Sequence, residues 1–223
     1  RSMRVIHLMK TNGAGWAFRL ISNLASYGVE SLVVMPSASK GYAPKYRSLG
    51  IKVIPLNVDI ASIDPWAMPS VCKALRNIVA EEQPDIVHSH FVGTTITARM
   101  ALSRSGGPPR VFQIPGPLHL EHLLPRLIDI HTADTRDFYI ATSDYTRQLL
   151  LQAGVDSTRV FYTEGYGKDV ERFHGRRTGR LRTDLGIPSS TPLIGLVAFM
   201  YPPKLYIGQL TGIKGHECFI DAM

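Results

Sequence analysis

The sequence predicts an α/β fold: a Rossmann-like parallel sheet with helices on both faces, followed by a truncated second Rossmann-like domain. Three observations predict it. Short apolar runs alternate with segments whose apolar residues recur at helical spacing. Strands alternating with helices require right-handed crossovers, which give a parallel sheet covered on both sides. The chain has 223 residues, 44% hydrophobic and 19% charged, enough for one generous domain or one and a half.

The elements follow in order. Arg4–Met9 is the first apolar run, and Thr11-Asn-Gly-Ala-Gly15 is a turn. Ala17, Leu20, Ile21, Leu24 and Ala25 mark a helix that Gly28 closes. Ser31–Met35 and Ile51–Leu56 are the next strands. Asp64-Pro65 starts a helix, with Asp as cap and Pro at the first helical position; Met68, Val71, Leu75, Ile78 and Val79 form its apolar face. Pro84–His88 begins the fourth strand, Thr94–Leu102 is a helix, and Arg110–Ile114 is the fifth strand. Phe138–Ala141 is the sixth, Ser143 caps a helix ended by Gly154, and Val160–Tyr162 is a short last strand. Gly175–Arg180 and Pro188–Pro192 bracket a crossing into the second domain. That domain opens with the apolar strand Leu193–Phe199 and a helix starting at Lys214-Gly215, within which the sequence stops at Met223.

Composition narrows the function classes. Arg1-Ser2 ahead of Met3 read as an expression scar. No apolar signal region follows, and no run reaches the roughly 18 residues of a membrane span, so a cytoplasmic protein is expected. Cys72 and Cys218 read as reduced thiols, not a disulfide framework. The net charge of +7 favours an anionic partner: nucleotide, lipid headgroup or nucleic acid.

In parallel sheets ligands sit at the carboxyl ends of the strands, which are Lys10–Gly15, Ser89–Thr94 and Pro115–His119 here. Gly13 and Gly15 would let backbone N–H groups approach a phosphate at a helix start; a tight turn without ligand is the equal alternative. Phe18 stands where a dinucleotide fingerprint needs glycine, which argues against NAD. His88 and His90 share a sheet face, but no Cys or carboxylate stands beside them, so no metal is expected. His119 follows the rigid turn Ile114–Pro117 and is placed for a substrate contact; His122 reads as helix surface. The stretch Glu121–Thr135 reads first as a core-packing helix. Its second reading is an apolar-basic face, with Leu123, Leu124, Leu127, Ile128, Arg126 and His131, resting on anionic lipid. Lys214 at a helix start could hold a leaving diphosphate.

The order of these segments resembles the N-terminal half of retaining, GT-B-fold glycosyltransferases of the family-four type. The segments are the Gly13–Gly15 loop, Pro84–His90, Ile114–His119, Ile140–Ser143, Tyr166-Gly167 with Val170–Phe173, Leu181–Pro188, Ile194–Val197 and Lys214–Glu217. The resemblance implies domains at 3–175 (acceptor side) and 193–223 (start of the nucleotide-sugar side), joined by 176–192. Pro115-Gly116 replaces the family's His-Gly, which leaves His119 for the sugar contact. Ala198-Phe199 replaces Gly-Arg, which leaves Lys204 for a phosphate. The family's paired-glutamate motif is not present. The implied activity is transfer of a sugar, with retention, from a nucleotide-sugar to a glycan or lipid-linked acceptor in cell-surface polysaccharide or glycoconjugate synthesis. No cofactor, metal or nucleic acid is implied, and peripheral contact with anionic membrane is. Lys214 and His119 are the implied catalytic residues. Gly13, Gly15, Lys204 and Lys214 would bind the donor; His90, Gly116 and His119 would bind the acceptor. This chain by itself is expected to be inactive. The alternatives are a nucleotide-sugar epimerase of similar shape and a non-catalytic sugar- or nucleotide-binding module.

Overall fold

The computed structural model describes residues 2–103, 106–164, 170–171, 179–203 and 209–223. It divides into two compact units, Arg1–Gly167 and Lys168–Met223. Lys204 and the segments 165–169 and 172–178 lie outside the described residues.

The first unit is built on seven strands: β1 (Arg4–Leu8), β2 (Glu30–Met35), β3 (Lys52–Pro55), β4 (Ile86–Ser89), β5 (Arg110–Ile114), β6 (Asp137–Ala141) and β7 (Val160–Tyr162). All neighbours pair parallel, in the order β3-β2-β1-β4-β5-β6-β7. The helices between them are α1 (Gly15–Leu24), α2 (Ala43–Ser48), α3 (Met68–Glu82), α4 (Val92–Leu102), α5 (Leu118–Glu121), α6 (Leu123–Thr132) and α7 (Asp144–Gln152).

Strand alternation separates the two faces. Leu32 and Val34 of β2 pack with Ile6 and Leu8 of β1 against α3 and α4. Val33 and Met35 turn the other way, with Met9, onto Ala17 and Ile21 of α1 and Ala43 and Tyr46 of α2. A third cluster joins Phe112, Ile114, Tyr139 and Ala141 to Leu120 and Leu150. Helix ends follow local chemistry. The Asp64 carboxylate accepts from the Trp66 N–H at 3.0 Å, and a short 3₁₀ turn at Pro65–Ala67 leads into α3. Ser143 accepts from the Thr146 N–H at 3.1 Å to start α7. Gly28 ends the turn after α1 at φ 73°, a conformation that favours glycine.

Two expectations change. Helix α2 lies in a stretch where no element was expected; its signal is Pro44 in the first turn. The Glu121–Thr135 stretch does not pack its leucines into the core. It splits into α5 and α6 at His122, which adopts extended backbone. Leu123 (63%), Leu124 (68%), Leu127 (40%) and Ile128 (44%) are exposed, while Asp129 is fully buried. The helix turns its acid inward because Arg99 of α4, itself buried, needs a counter-charge there.

The second unit contains α8 (Arg180–Asp184) and α9 (His216–Asp221). The expected strand Leu193–Phe199 is not formed; Val197 and Phe199 are exposed. A strand exists only through hydrogen bonds to a neighbour, and no described residue of this unit supplies that ladder. Gly215 precedes α9 at φ 67°, and Lys214 is exposed in the turn before it. Among the described residues no helix is long and apolar enough to cross a membrane.

Candidate functional site at the carboxyl edge of the sheet

Strands β1 and β4 are adjacent, yet β1 leads into α1 on one face and β4 into α4 on the other. Such a reversal opens a crevice at the carboxyl ends of the two strands. The loops Lys10–Gly15 and His90–Gly93 border it.

The glycine loop is held from behind. Asn12 donates from Nδ2 to the Ser37 carbonyl at 2.5 Å and accepts from the Ser37 N–H at 3.1 Å. The Asn12 carbonyl accepts from the Tyr42 N–H at 2.8 Å. At Gly15 a Cβ would stand 2.6 Å from the Tyr42 hydroxyl, so a larger residue would have to push that side chain aside. Around Gly13 there is open space, and its backbone faces solvent.

Charge enters through Lys10. Its Nζ lies 3.3 Å from Asp59 Oδ2, and the Asp59 side chain is only 3% exposed. The same ammonium sits 5.9 Å from the centre of the Phe91 ring. At Gly93 a Cβ would fall 1.8 Å from Asp59 Oδ1, so only glycine lets α4 begin beside this carboxylate. Trp16 lies edge-on to His90 and Phe91.

His90, expected to meet an acceptor, is fully buried behind the surface of this edge. It stacks with His7 and lies beside His88. Burial, followed by the charge of its histidine neighbours, holds its pKa well below the usual value; His7 behaves alike. Burial brings His88 down to about 4, despite the opposing hydrogen bond with Gln113. All three imidazoles are therefore neutral at physiological pH.

Gly116 is exposed beyond β5 with open space around it. His119 is less free: its Nε2 donates to Asp129 Oδ2 at 3.0 Å and the side chain is 10% exposed. Asp129 also accepts from Arg99 Nη1 at 2.7 Å. Arg99 further donates to Asp137 at 3.1 Å and to the Tyr139 hydroxyl at 3.1 Å, and Arg110 holds Asp137 with two bonds. His119 is thus bound into a buried network that mounts α6. Lys214 belongs to the second unit, and Lys204 lies outside the described residues.

Sequence reasoning missed three features. The Lys10–Asp59 pair had a signal in a lysine placed directly after a strand. His7 had one in its strand position, but its register against His88 belongs to the sheet. The Arg99–Asp129–Asp137 network joins residues 30 and 38 positions apart and had none.

Residues 14–163, which include most of this edge, match Glycosyltransferase Family 4. The chain belongs to that family. No curated protein sequence matches it. Among solved structures, a glycosyltransferase from Rickettsia africae ESF-5 is similar with a TM-score of 0.61 at 13% identity; the match covers 90% of this chain and 55% of that one. The Anabaena HepE protein, crystallised with UDP and glucose, matches with a TM-score of 0.61 at 16% identity, over 82% of this chain and 50% of that one. UDP-GlcNAc 2-epimerase from Neisseria meningitidis, bound to UDP-GlcNAc, matches with a TM-score of 0.52 at 16% identity, over 72% and 46%. These likenesses establish a Rossmann-like fold of the GT-B kind. The family-four chain spans about half the length of the structures it matches.

Proposed function

We propose that the whole protein is a retaining glycosyltransferase that moves a sugar from a nucleotide-sugar to a glycan or lipid-linked acceptor, in cell-surface polysaccharide or glycoconjugate synthesis. The family match over residues 14–163 carries this reading, because it spans the first unit through all seven strands except the first. The similar HepE structure holds UDP and glucose, which supports a uridine nucleotide-sugar as the first donor to try.

In this proposal the open backbone at Gly13 and the Lys10 ammonium face the acceptor or the donor phosphates. Gly116 lines the acceptor side, and His119 acts there through Asp129 by fixing the loop between β5 and α6. The departing diphosphate assists attack on the same face, so the reaction needs no metal, and Lys214 neutralises its growing charge. The exposed leucines of α6, with Arg126 between them, rest on anionic membrane lipid on the cytoplasmic side.

A second reading, a nucleotide-sugar epimerase, is favoured by the similarity to the Neisseria epimerase. Epimerisation needs an acid and a base free to exchange protons at one carbon, whereas Asp59 is already paired with Lys10. Incubation with UDP-sugars separates the two. The transferase releases UDP only when acceptor is added; the epimerase isomerises the sugar without acceptor. The 223-residue chain by itself is expected to do neither, and robust turnover by it would sink that part of the proposal.

A further inference from the structure

Three histidines meet on one face of the sheet. His7 of β1 pairs in register with His88 of β4, and His90 follows two residues along, on the same side. Their ring centres lie 4.2 Å (His88–His90), 5.1 Å (His7–His88) and 5.6 Å (His7–His90) apart. One ring nitrogen from each lies within 4.8 Å of the other two; among the described residues no other group of three His, Cys, Asp or Glu is so arranged. His7 Nδ1 and His90 Nε2 are 3.4 Å apart. Two imidazole ligands of a tetrahedral ion with metal–nitrogen bonds of about 2.0–2.1 Å stand roughly 3.3–3.4 Å apart. The pairs with His88 lie within 4.8 Å, so closing them takes at most about 1.5 Å, within reach of ring rotation.

The cluster is also unsatisfied. His88 Nε2 is buried without a hydrogen-bond partner, and so are the other ring nitrogens of the close pair, His7 Nε2 and His90 Nδ1. Buried polar atoms are normally paired, so the unpartnered His88 Nε2 points to a missing partner, which an ion held by His7 Nδ1 and His90 Nε2 would supply.

We propose that His7, His88 and His90 form a binding site for a divalent transition-metal ion of the zinc class, clamping β1 to β4 beneath Trp16 and the glycine loop. The donor set selects the ion: imidazoles suit zinc, copper and nickel, while magnesium and calcium take oxygen ligands. Neutral imidazole is the ligating form, and burial already keeps all three histidines neutral. Gln113, hydrogen-bonded to His88, is placed to orient that ring. The sequence-based expectation of no metal considered His88 and His90, which lie side by side in the chain; only sheet pairing brings His7 to them. The site is separate from the glycosyl-transfer chemistry and does not depend on that reading.

The test uses the untagged 223-residue chain, exposed to zinc and then freed of excess by gel filtration. The expected result is about one zinc per chain, with nitrogen neighbours near 2.0–2.1 Å and imidazole scattering in the zinc X-ray absorption spectrum. His90→Gln should raise the dissociation constant at least a hundredfold, roughly the loss of one of three ligands. Less than about a tenth of a zinc per chain would overturn the site and leave a buried water among the imidazoles as the occupant. Sulfur neighbours near 2.3 Å would overturn it in favour of Cys72 or Cys218. Unchanged affinity in a folded His90→Gln would also overturn it. If that variant does not fold, the absorption spectrum of the unaltered chain decides.

Discussion

Replacing Arg99 with methionine is expected to be the most damaging single change in the first unit outside its apolar core. The guanidinium is 2% exposed and makes bonds to Asp129, Asp137, Tyr139 and Thr132. Methionine fills much of the same volume but leaves Asp129, fully buried, with His119 alone. Removing one partner of a buried pair typically costs about 3–5 kcal/mol. The lower part of that range applies, because Asp137 keeps both bonds from Arg110. Against a total stability of about 5–15 kcal/mol, a loss of roughly 3–4 kcal/mol lowers Tm by about 6–16 °C for a domain of this size. Burial disfavours the Asp129 carboxylate, but the hydrogen bond from His119 and the Arg99 charge outweigh it, so its folded pKa lies below 3.8. Such a group adds stability above the unfolded pKa and loses it as pH falls through the folded one. In Arg99→Met the acid limb should therefore begin at higher pH. Urea unfolding from pH 3 to 7 measures both effects, and hydrogen exchange should quicken first in residues 123–132. Adding Asp129→Leu should restore at least half the loss, since an apolar pair can replace an ionic one. A Tm change under about 2 °C in Arg99→Met, with an unmoved acid limb, would refute the reasoning.

The remaining expectations concern the carboxyl edge and its surroundings. Gly93→Ala must drive Asp59 away from Lys10 and should cost about 1–3 kcal/mol by thermal melting, whereas Gly13→Ala, with open space, should stay within about 0.5 kcal/mol. In the whole protein Lys214→Ala should leave Tm unchanged, because the residue is exposed, and lower kcat about a hundredfold or more, roughly 3 kcal/mol of barrier; an unchanged rate would move the phosphate contact to Lys204. Co-sedimentation with anionic vesicles should exceed that with neutral ones, fall with salt and weaken in Arg126→Glu, each basic residue contributing about 1 kcal/mol. Equal recovery in every supernatant would reduce the exposed face of α6 to ordinary surface.

What the sequence determined by itself was the strands of the first unit and most of its helices. Apolar runs and helical spacing placed all seven strands, because hydrophobic periodicity is a local signal tied to burial. Asp64 and Ser143 announced helix starts by the short side-chain bonds they later make. Sequence also placed Gly13–Gly15 and Gly116 at strand ends, where a parallel sheet presents its loops. It erred at Leu193–Phe199, where an apolar run alone cannot make a strand without a neighbour to hold its hydrogen bonds. It erred at α6, where helical spacing was right but the inward side was not. Arg99 lies 30 residues upstream, and its buried charge turns Asp129 inward and the leucines out. The meeting of His7 with His88 and His90 was likewise decided only by the parallel register of β1 and β4. Pairing energy across a sheet and charge neutralisation in a core act between residues far apart in the chain, and local pattern carries no record of either.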